Sequence, residues 1–400
     1  MKDIYTLKAL EKFECIGTDC PRSCCEANWY FAIDPPTVDK WDQVSKESDR
    51  KWLLGSISDI KVDGEKQLKV KEDESCYFFN EDKLCEIQVR YGHSYLPCVC
   101  REYPRVNVNA PYRVYKTASF SCPEIVRLVL FDGIEESLYV KSPLKNEMLG
   151  GIPDNNATLN CSLDQFVNNV LDLDKFPLGV RVFYIANIFG ELTIQANRSP
   201  INSSDIDQLI KQTKNNLYGI NLAVKQGKLK PDPVTAGSFW KVVYSLAKSR
   251  EIDSVFMESE SSPLTKIFDE SGDSNEDYIN IYKVIGEYIS VARPELRTNY
   301  GNLLQTYIKV YFSGKGFPLA PTAKTTNITI VECMVGLCLL QLLLWMQIRS
   351  RGSLTDDFLQ DLIVEVNRKY AHSSTVAERL EEDSHMQQIE RYCICFLDLF

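Results

Sequence analysis

Nine of the fourteen cysteines in this 400-residue chain lie between Cys15 and Cys122. The first group reads Cys15-Ile-Gly-Thr-Asp-Cys20-Pro-Arg-Ser-Cys24-Cys25, four thiols within eleven residues. Gly17, Asp19 and Pro21 supply the turn chemistry that lets such a run fold back on itself. The second group is Cys76, Cys85, Cys98 and Cys100, with Cys122 following in Ser-Cys-Pro-Glu. Joining the two groups closes a loop of about 50 residues, an entropic cost that metal bonds can offset. Thiolates suit zinc and iron–sulfur clusters. Zinc sites usually pair two C-x2-4-C knuckles, and no clean second knuckle follows the first here. Only three histidines exist, with His93 alone in this region, so a histidine-built site is excluded by inventory. The polar neighbours Thr18, Asp19, Arg22, Ser23 and Glu26 argue against buried, merely space-filling thiols. Cys333 and Cys338, in an apolar run, and Cys393 and Cys395, in an aromatic one, do read as core packing.

Compartment and charge narrow the chemistry further. The opening Met-Lys-Asp-Ile-Tyr-Thr-Leu-Lys is neither a secretory signal nor an acid-poor transit peptide. A cytoplasmic, reducing location follows as the expectation, and structural disulfides are rare there. Net charge is −10, from 55 acidic and 45 basic residues, and no basic run interleaved with aromatics stands out. A nucleic-acid-binding face is not expected. With 44 % hydrophobic residues the chain can bury a sizeable core.

The elements that must hold these thiols fall into two kinds. Gly17, Pro21, Pro35, Pro36, Gly64, Gly92, Pro97, Pro104 and Pro111 punctuate the first part, which also contains the extended run Tyr112-Arg-Val-Tyr-Lys-Thr-Ala. Helical periodicity dominates the rest, over residues 164–171, 180–195, 216–225, 239–247, 278–290, 303–312, 328–348, 356–370 and 376–399. The expected fold is mainly α: a loop-rich N-terminal cysteine-cluster metal domain (1–150) followed by an all-α helical domain (151–400). Residues 328–348 approach the length of a membrane span, but Glu332, Gln341 and Gln347 interrupt them. A buried core helix is the expectation, with no membrane partner.

The signatures resemble those of the flagellin lysine-N-methylases. Cys15-x4-Cys20-x3-Cys24-Cys25 followed by Trp29 is similar to that family's opening. Cys76-Tyr-Phe-Phe-Asn-Glu-Asp-Lys-Leu-Cys85-Glu-Ile-Gln is similar to its second signature. Cys100-Arg-Glu-Tyr-Pro-Arg105 and Ser119-Phe-Ser-Cys-Pro-Glu-Ile-Val-Arg127 complete the order. The resemblance covers about the first 130 residues. It implies S-adenosylmethionine-dependent methylation of lysines on flagellin, assisted by a [4Fe-4S] cluster. The positions that match are Cys15, Cys20, Cys24, Cys25, Cys76, Cys85, Cys100 and Cys122; Cys98 falls outside the pattern. Eight thiols exceed the four that one cubane requires.

The residues themselves leave the methyl donor's site open. No Gly-rich strand-to-helix turn of the dinucleotide-binding kind is present. The C-x3-C-x2-C motif of radical cofactor cleavage is absent as well, because position 27 is Ala27. A cluster with an open iron position could hold the methionine part of the donor. Arg101, Tyr103 and Arg105 follow Cys100 closely and are the candidate cofactor-binding residues, able to donate to cluster sulfurs or to a carboxylate. Glu102, Glu124 and Tyr103 are candidates for handling a lysine proton. His372 and His385 read as surface residues. The alternative is a non-catalytic iron–sulfur or zinc protein, serving electron transfer or as an interaction scaffold.

Overall fold

A computed structural model describes residues 2–26, 31–62, 65–109, 113–132, 138–146, 157–196, 198–249, 262–317, 325–370 and 392–398. The chain opens with strand β1 (Lys2–Leu7) and a single helical turn, α1 (Ala9–Lys12). After the first cysteines come α2 (Pro35–Asp42), α3 (Glu47–Gly55) and the antiparallel pair β2 (Ile57–Val62) and β3 (Glu65–Leu68). Short helices α4 (Glu86–Tyr91) and α5 (Cys98–Glu102) lead to β4 (Arg105–Asn109), β5 (Arg113–Ala118), α6 (Pro123–Val126) and β6 (Tyr139–Asn146).

The larger sheet has the order β4-β5-β1-β6. β1 pairs in parallel with β5, with Tyr5 opposite Tyr115, and antiparallel with β6. Edge strand β4 alternates exposed and half-buried residues, whereas central β5 is buried on both faces over most of its length. A parallel pair cannot be joined by a tight turn. The crossover from β1 to β5 carries Cys15 to Cys100, with Cys122 just beyond β5, so the sheet gathers both ends of the cysteine-bearing segment. Where the sequence reads as loop-rich, the structure therefore places two sheets; their pairing is long-range and leaves no local period.

Beyond residue 150 the helices are α7 (Ala157–Leu171), α8 (Leu178–Ala196), α9 (Ser203–Lys225), α10 (Pro233–Ser249) and α11 (Pro263–Glu270). Then follow α12 (Asn275–Asn299), α13 (Gly301–Gly314), α14 (Thr325–Arg351) and α15 (Asp356–Tyr370). The protein is mainly α-helical, as expected. Helix α9 begins thirteen residues before its sequence estimate, at a reciprocal capping box between Asn202 and Asp205. The predicted terminal helix falls mostly outside the described residues, as do Trp29, His372 and His385. Its described part, Cys393–Asp398, is a 3-10 turn.

Two apolar cores form. The small one gathers Phe31, Ile33, Trp41, Leu53 and Ile87 around Phe78, which meets Trp41, Trp52 and Tyr77 edge-on at 5.8, 4.9 and 5.1 Å. The large one joins Leu7, Phe120, Ile125 and Val126 to the helical bundle. Its centre is α14: Cys333–Arg351 is long and apolar enough to cross a bilayer, and 89 % of its most apolar window is buried inside the protein. Cys333 and Cys338 are fully buried there, as core-packing thiols should be.

Helices α10 and α12 cross at Gly237, where a Cβ would lie 1.9 Å from the Tyr278 carbonyl oxygen. Because the obstacle is backbone, it cannot rotate aside. Gly237→Ala is expected to destabilise the fold by about 2 kcal/mol, seen as a lower urea midpoint with an unchanged slope. An unaltered midpoint would show that the two helices can part without loss.

Candidate functional site

The two cysteine groups meet through backbone first. The Cys76 amide donates to the Cys25 carbonyl at 2.8 Å, laying the second group against the first. Around this contact the chain is pinned by short-range chemistry. Ser23 Oγ accepts from the Cys25 amide at 3.2 Å, and Glu26 accepts from the Ser23 amide at 3.1 Å. Phe79 and Cys85 form an isolated antiparallel bridge, and the Glu86 amide donates to the Phe78 carbonyl at 2.8 Å. Asp34 caps α2 through the Thr37 amide and also accepts from the Cys98 amide at 2.7 Å. That bond sets the start of α5, and thereby where Cys100 stands.

The thiols follow. Cys25 lies within hydrogen-bonding reach of Cys24 and Cys76, its single S–H serving one at a time, and this holds Cys24 down at about 7 and Cys76 below the usual thiol value. Cys25 itself is pushed far up by the same bonds, to Cys24 first and Cys76 second. Burial raises Cys85 to about 11 and Cys122 to about 12, and lifts Cys100 well above the thiol range. Burial also raises Cys20, against the pull of the Arg22 backbone and of Arg368. Charge on Cys24 is felt at Cys20, Cys85, Cys100 and Cys122, so these thiols lie near it. Cys15 stands on the exposed side, next to Cys20. Cys98 has no place in this arrangement beyond its backbone bond to Asp34.

Among the described residues, no three cysteine, histidine or carboxylate side chains converge on a single metal-ion position. The donor set nonetheless fits a sulfur-ligated group in its chemistry. The thiols are gathered and desolvated, and a buried guanidinium stabilises their ionised form.

That guanidinium is Arg368, a residue the sequence did not single out. It lies on α15, 8 % exposed, and donates to the Ser121 carbonyl at 3.1 Å and to the Arg22 carbonyl. Arg22 in turn donates to Glu365, one turn earlier on α15, at 2.9 Å. Gln360 donates to the Pro123 carbonyl at 3.1 Å, so one helix grips both the first cysteine loop and the Cys122 turn. The usable signal was a pair of charges, Glu365 and Arg368, within the buried run Leu362–Arg368.

The remaining candidates are placed as follows. Tyr103 packs toward the cysteines, its hydroxyl 3.2 Å from Ser121 Oγ; burial, then the nearby Cys122, pushes it well above the usual phenol value. Arg101 reaches the Leu96 carbonyl at 3.5 Å and Glu102 at 3.8 Å. Arg105 is exposed and lies over the Phe13 ring, 5.2 Å from its centroid. Glu124 receives two hydrogen bonds from Arg127, at 2.7 and 2.8 Å, which commits its carboxylate to that pair. A large cleft lies elsewhere, between the four-stranded sheet and helices α7 and α13, and none of the eight cysteines lines it.

Comparison with known proteins gives a distant link. A 123-residue stretch is 27 % identical to the flagellar biosynthetic protein FliU of Salmonella muenchen, covering 30 % of this chain and 72 % of that protein. A 137-residue stretch is 26 % identical to the lysine-N-methylase of Salmonella typhimurium, covering 33 % of this chain and 34 % of that one. A similar match, 27 % over 123 residues, links it to the lysine-N-methylase of Salmonella choleraesuis, at 30 % of each chain. The matched region thus spans about a third of the lysine-N-methylases' length. No family model and no solved structure matches the chain.

The grip of α15 on the cysteine loop has a measurable consequence. Glu365 is buried, so removing it from beside Arg22 should cost about 3 kcal/mol. Removing Asp361, half-exposed and 4.0 Å from the same arginine, should cost less than about 1 kcal/mol. Urea denaturation of Glu365→Ala and Asp361→Ala checks the ranking, and equal losses would contradict it.

Proposed function

We propose that this chain is an S-adenosylmethionine-dependent protein-lysine N-methyltransferase acting on flagellin in the cytoplasm, with a thiolate-bound [4Fe-4S] cluster in its cysteine-bearing part. The observation that carries the reading is the backbone bond from the Cys76 amide to the Cys25 carbonyl, which lays the two cysteine groups together, with charge on Cys24 felt at Cys20, Cys85, Cys100 and Cys122. These are the same positions that the lysine-methylase signatures mark in the sequence. The distant similarity to two lysine-N-methylases and a flagellar biosynthetic protein supports the activity and the substrate. In this reading residues 1–150 hold the cluster, and residues 151–400 scaffold the active cleft or recognise the protein substrate.

The cluster's ligands would come from Cys20, Cys24, Cys25, Cys76, Cys85, Cys100 and Cys122, with Cys15 at the solvent edge. A cluster held there supplies a compact, polarisable charge that the protein can tune. Arg368 offsets its negative charge from within the fold, and Tyr103 offers a hydroxyl beside Cys122. Arg101 and Arg105 flank the same turn. When bound, S-adenosylmethionine supplies a sulfonium methyl carbon to a neutral lysine amine; the electrons of the broken carbon–sulfur bond stay with the thioether, and the amine sheds one proton.

Two measurements test this. Flagellin from cells with and without the gene should differ by methyl mass increments on lysines, and identical spectra would remove the substrate assignment. Protein purified without air should contain iron and sulfide and absorb in the visible. Cys24→Ser and Cys76→Ser should lose most of that iron; zinc in place of iron would instead favour a structural metal and a scaffold role.

A further inference from the structure

The large cleft is built differently from the rest of the interior. Its volume is about 750 Å³, in the range of small-molecule sites. Three elements turn polar side chains toward it. Helix α13 presents Asn302, Gln305, Thr306 and Lys309, spaced three, four and seven residues from the first, while Leu303, Leu304, Tyr307 and Ile308 pack into the core. Helix α7 presents Asp164 and Asn168, and Asp172 continues the same four-residue spacing just past its last residue. Strand β5 presents Arg113 and Tyr115, two residues apart and hence on one face. At the buried positions among them, Asp164 and Thr306, packing alone would favour apolar residues, since buried polar groups cost free energy unless partnered.

The lining has both signs of charge and several ring faces. Arg113 and Asp164 pair at 2.8 Å in the interior, and Tyr115 donates to the same carboxylate at 2.8 Å. Lys309 pairs with Asp172 nearer the mouth. Tyr5 and Tyr115 have ring centroids 6.0 Å apart, and Tyr139 lies 5.3 Å from Tyr115. These rings already act as platforms for a cation, with the Arg113 guanidinium 4.8 Å from Tyr5 and 5.7 Å from Tyr115. A matching ligand carries a carboxylate and an ammonium together, a flat ring, and a further positive centre that tyrosine faces attract.

The geometry points to this cleft, rather than the cysteine centre, as the site where the methyl donor S-adenosylmethionine binds. Its amino-acid end would exchange partners with the Arg113–Asp164 and Lys309–Asp172 pairs, and its base and sulfonium would lie along the tyrosines. The assignment rests on the methylase reading, and it makes the cysteine centre a separate station from the donor site. Strand β5 connects them, since it leaves the cleft at Thr117 and reaches Ser121 and Cys122 within one turn.

Calorimetric titration of the full chain with S-adenosylhomocysteine tests the assignment by binding alone. The wild type should bind. Lys309→Met and Asn302→Trp should each weaken binding by about tenfold or more, with thermal midpoints near that of the wild type. Asn302 is exposed at the rim, so the indole can fill the mouth without disturbing the core. Wild-type affinity in both cleft variants would overturn the assignment. No binding by the wild type would instead sink the methyl-donor reading itself.

Discussion

The hydrogen bond from the Cys76 amide to the Cys25 carbonyl, with the three thiols of Cys24, Cys25 and Cys76 beside it, closes a loop of about 50 residues. Everything around the cysteine centre is arranged to make that closure hold. The small core around Phe78 supplies apolar burial between the two cysteine groups. Asp34 fixes α5, and the parallel pairing of β1 with β5 brings the two ends of the segment back to one sheet. No single one of these contacts is strong; a backbone hydrogen bond nets about 1 kcal/mol. Together they lay the two cysteine groups against each other, where burial raises the thiols of Cys20, Cys85, Cys100 and Cys122.

Helix α15 is what ties this centre to the bundle. Burying Glu365 and Arg368 would be costly if either stood alone, because a charge leaves water only with compensation. Arg22 and two carbonyls, those of Arg22 and Ser121, supply it. The same atoms thereby fix the first cysteine loop and the turn carrying Cys122 on one surface. The positive charge also falls where thiolates would need it, so a structural latch and an electrostatic device are the same side chain.

The cysteine centre and the polar cleft lie at opposite ends of one strand. β5 is buried on most of both faces and can shift little, which makes it a rigid spacer between them. The cleft's walls come from the sheet and from α7 and α13, elements far apart in sequence. The large core therefore has two duties: it supports α14 at its centre and holds the three polar stripes at a fixed separation.

The amino-acid sequence by itself determined the thiol inventory, the exclusion of a histidine site and the helical character of residues beyond 150. These depend on residue type and on local periods, which need no partner to be read. The buried character of α14 was legible for the same reason, in a run of apolar residues broken by single polar ones. The sheet was not legible, because β1 finds β5 across most of the cysteine segment and a six-residue strand has no period long enough to betray its partner. Arg368 was hidden likewise: its importance comes from Arg22, Ser121 and the thiols, all more than 240 positions away. Only the tertiary structure decided which cysteines meet, which helix holds them and where the polar cleft opens. Those are long-range contacts, set by packing and charge compensation between segments that the sequence lists far apart.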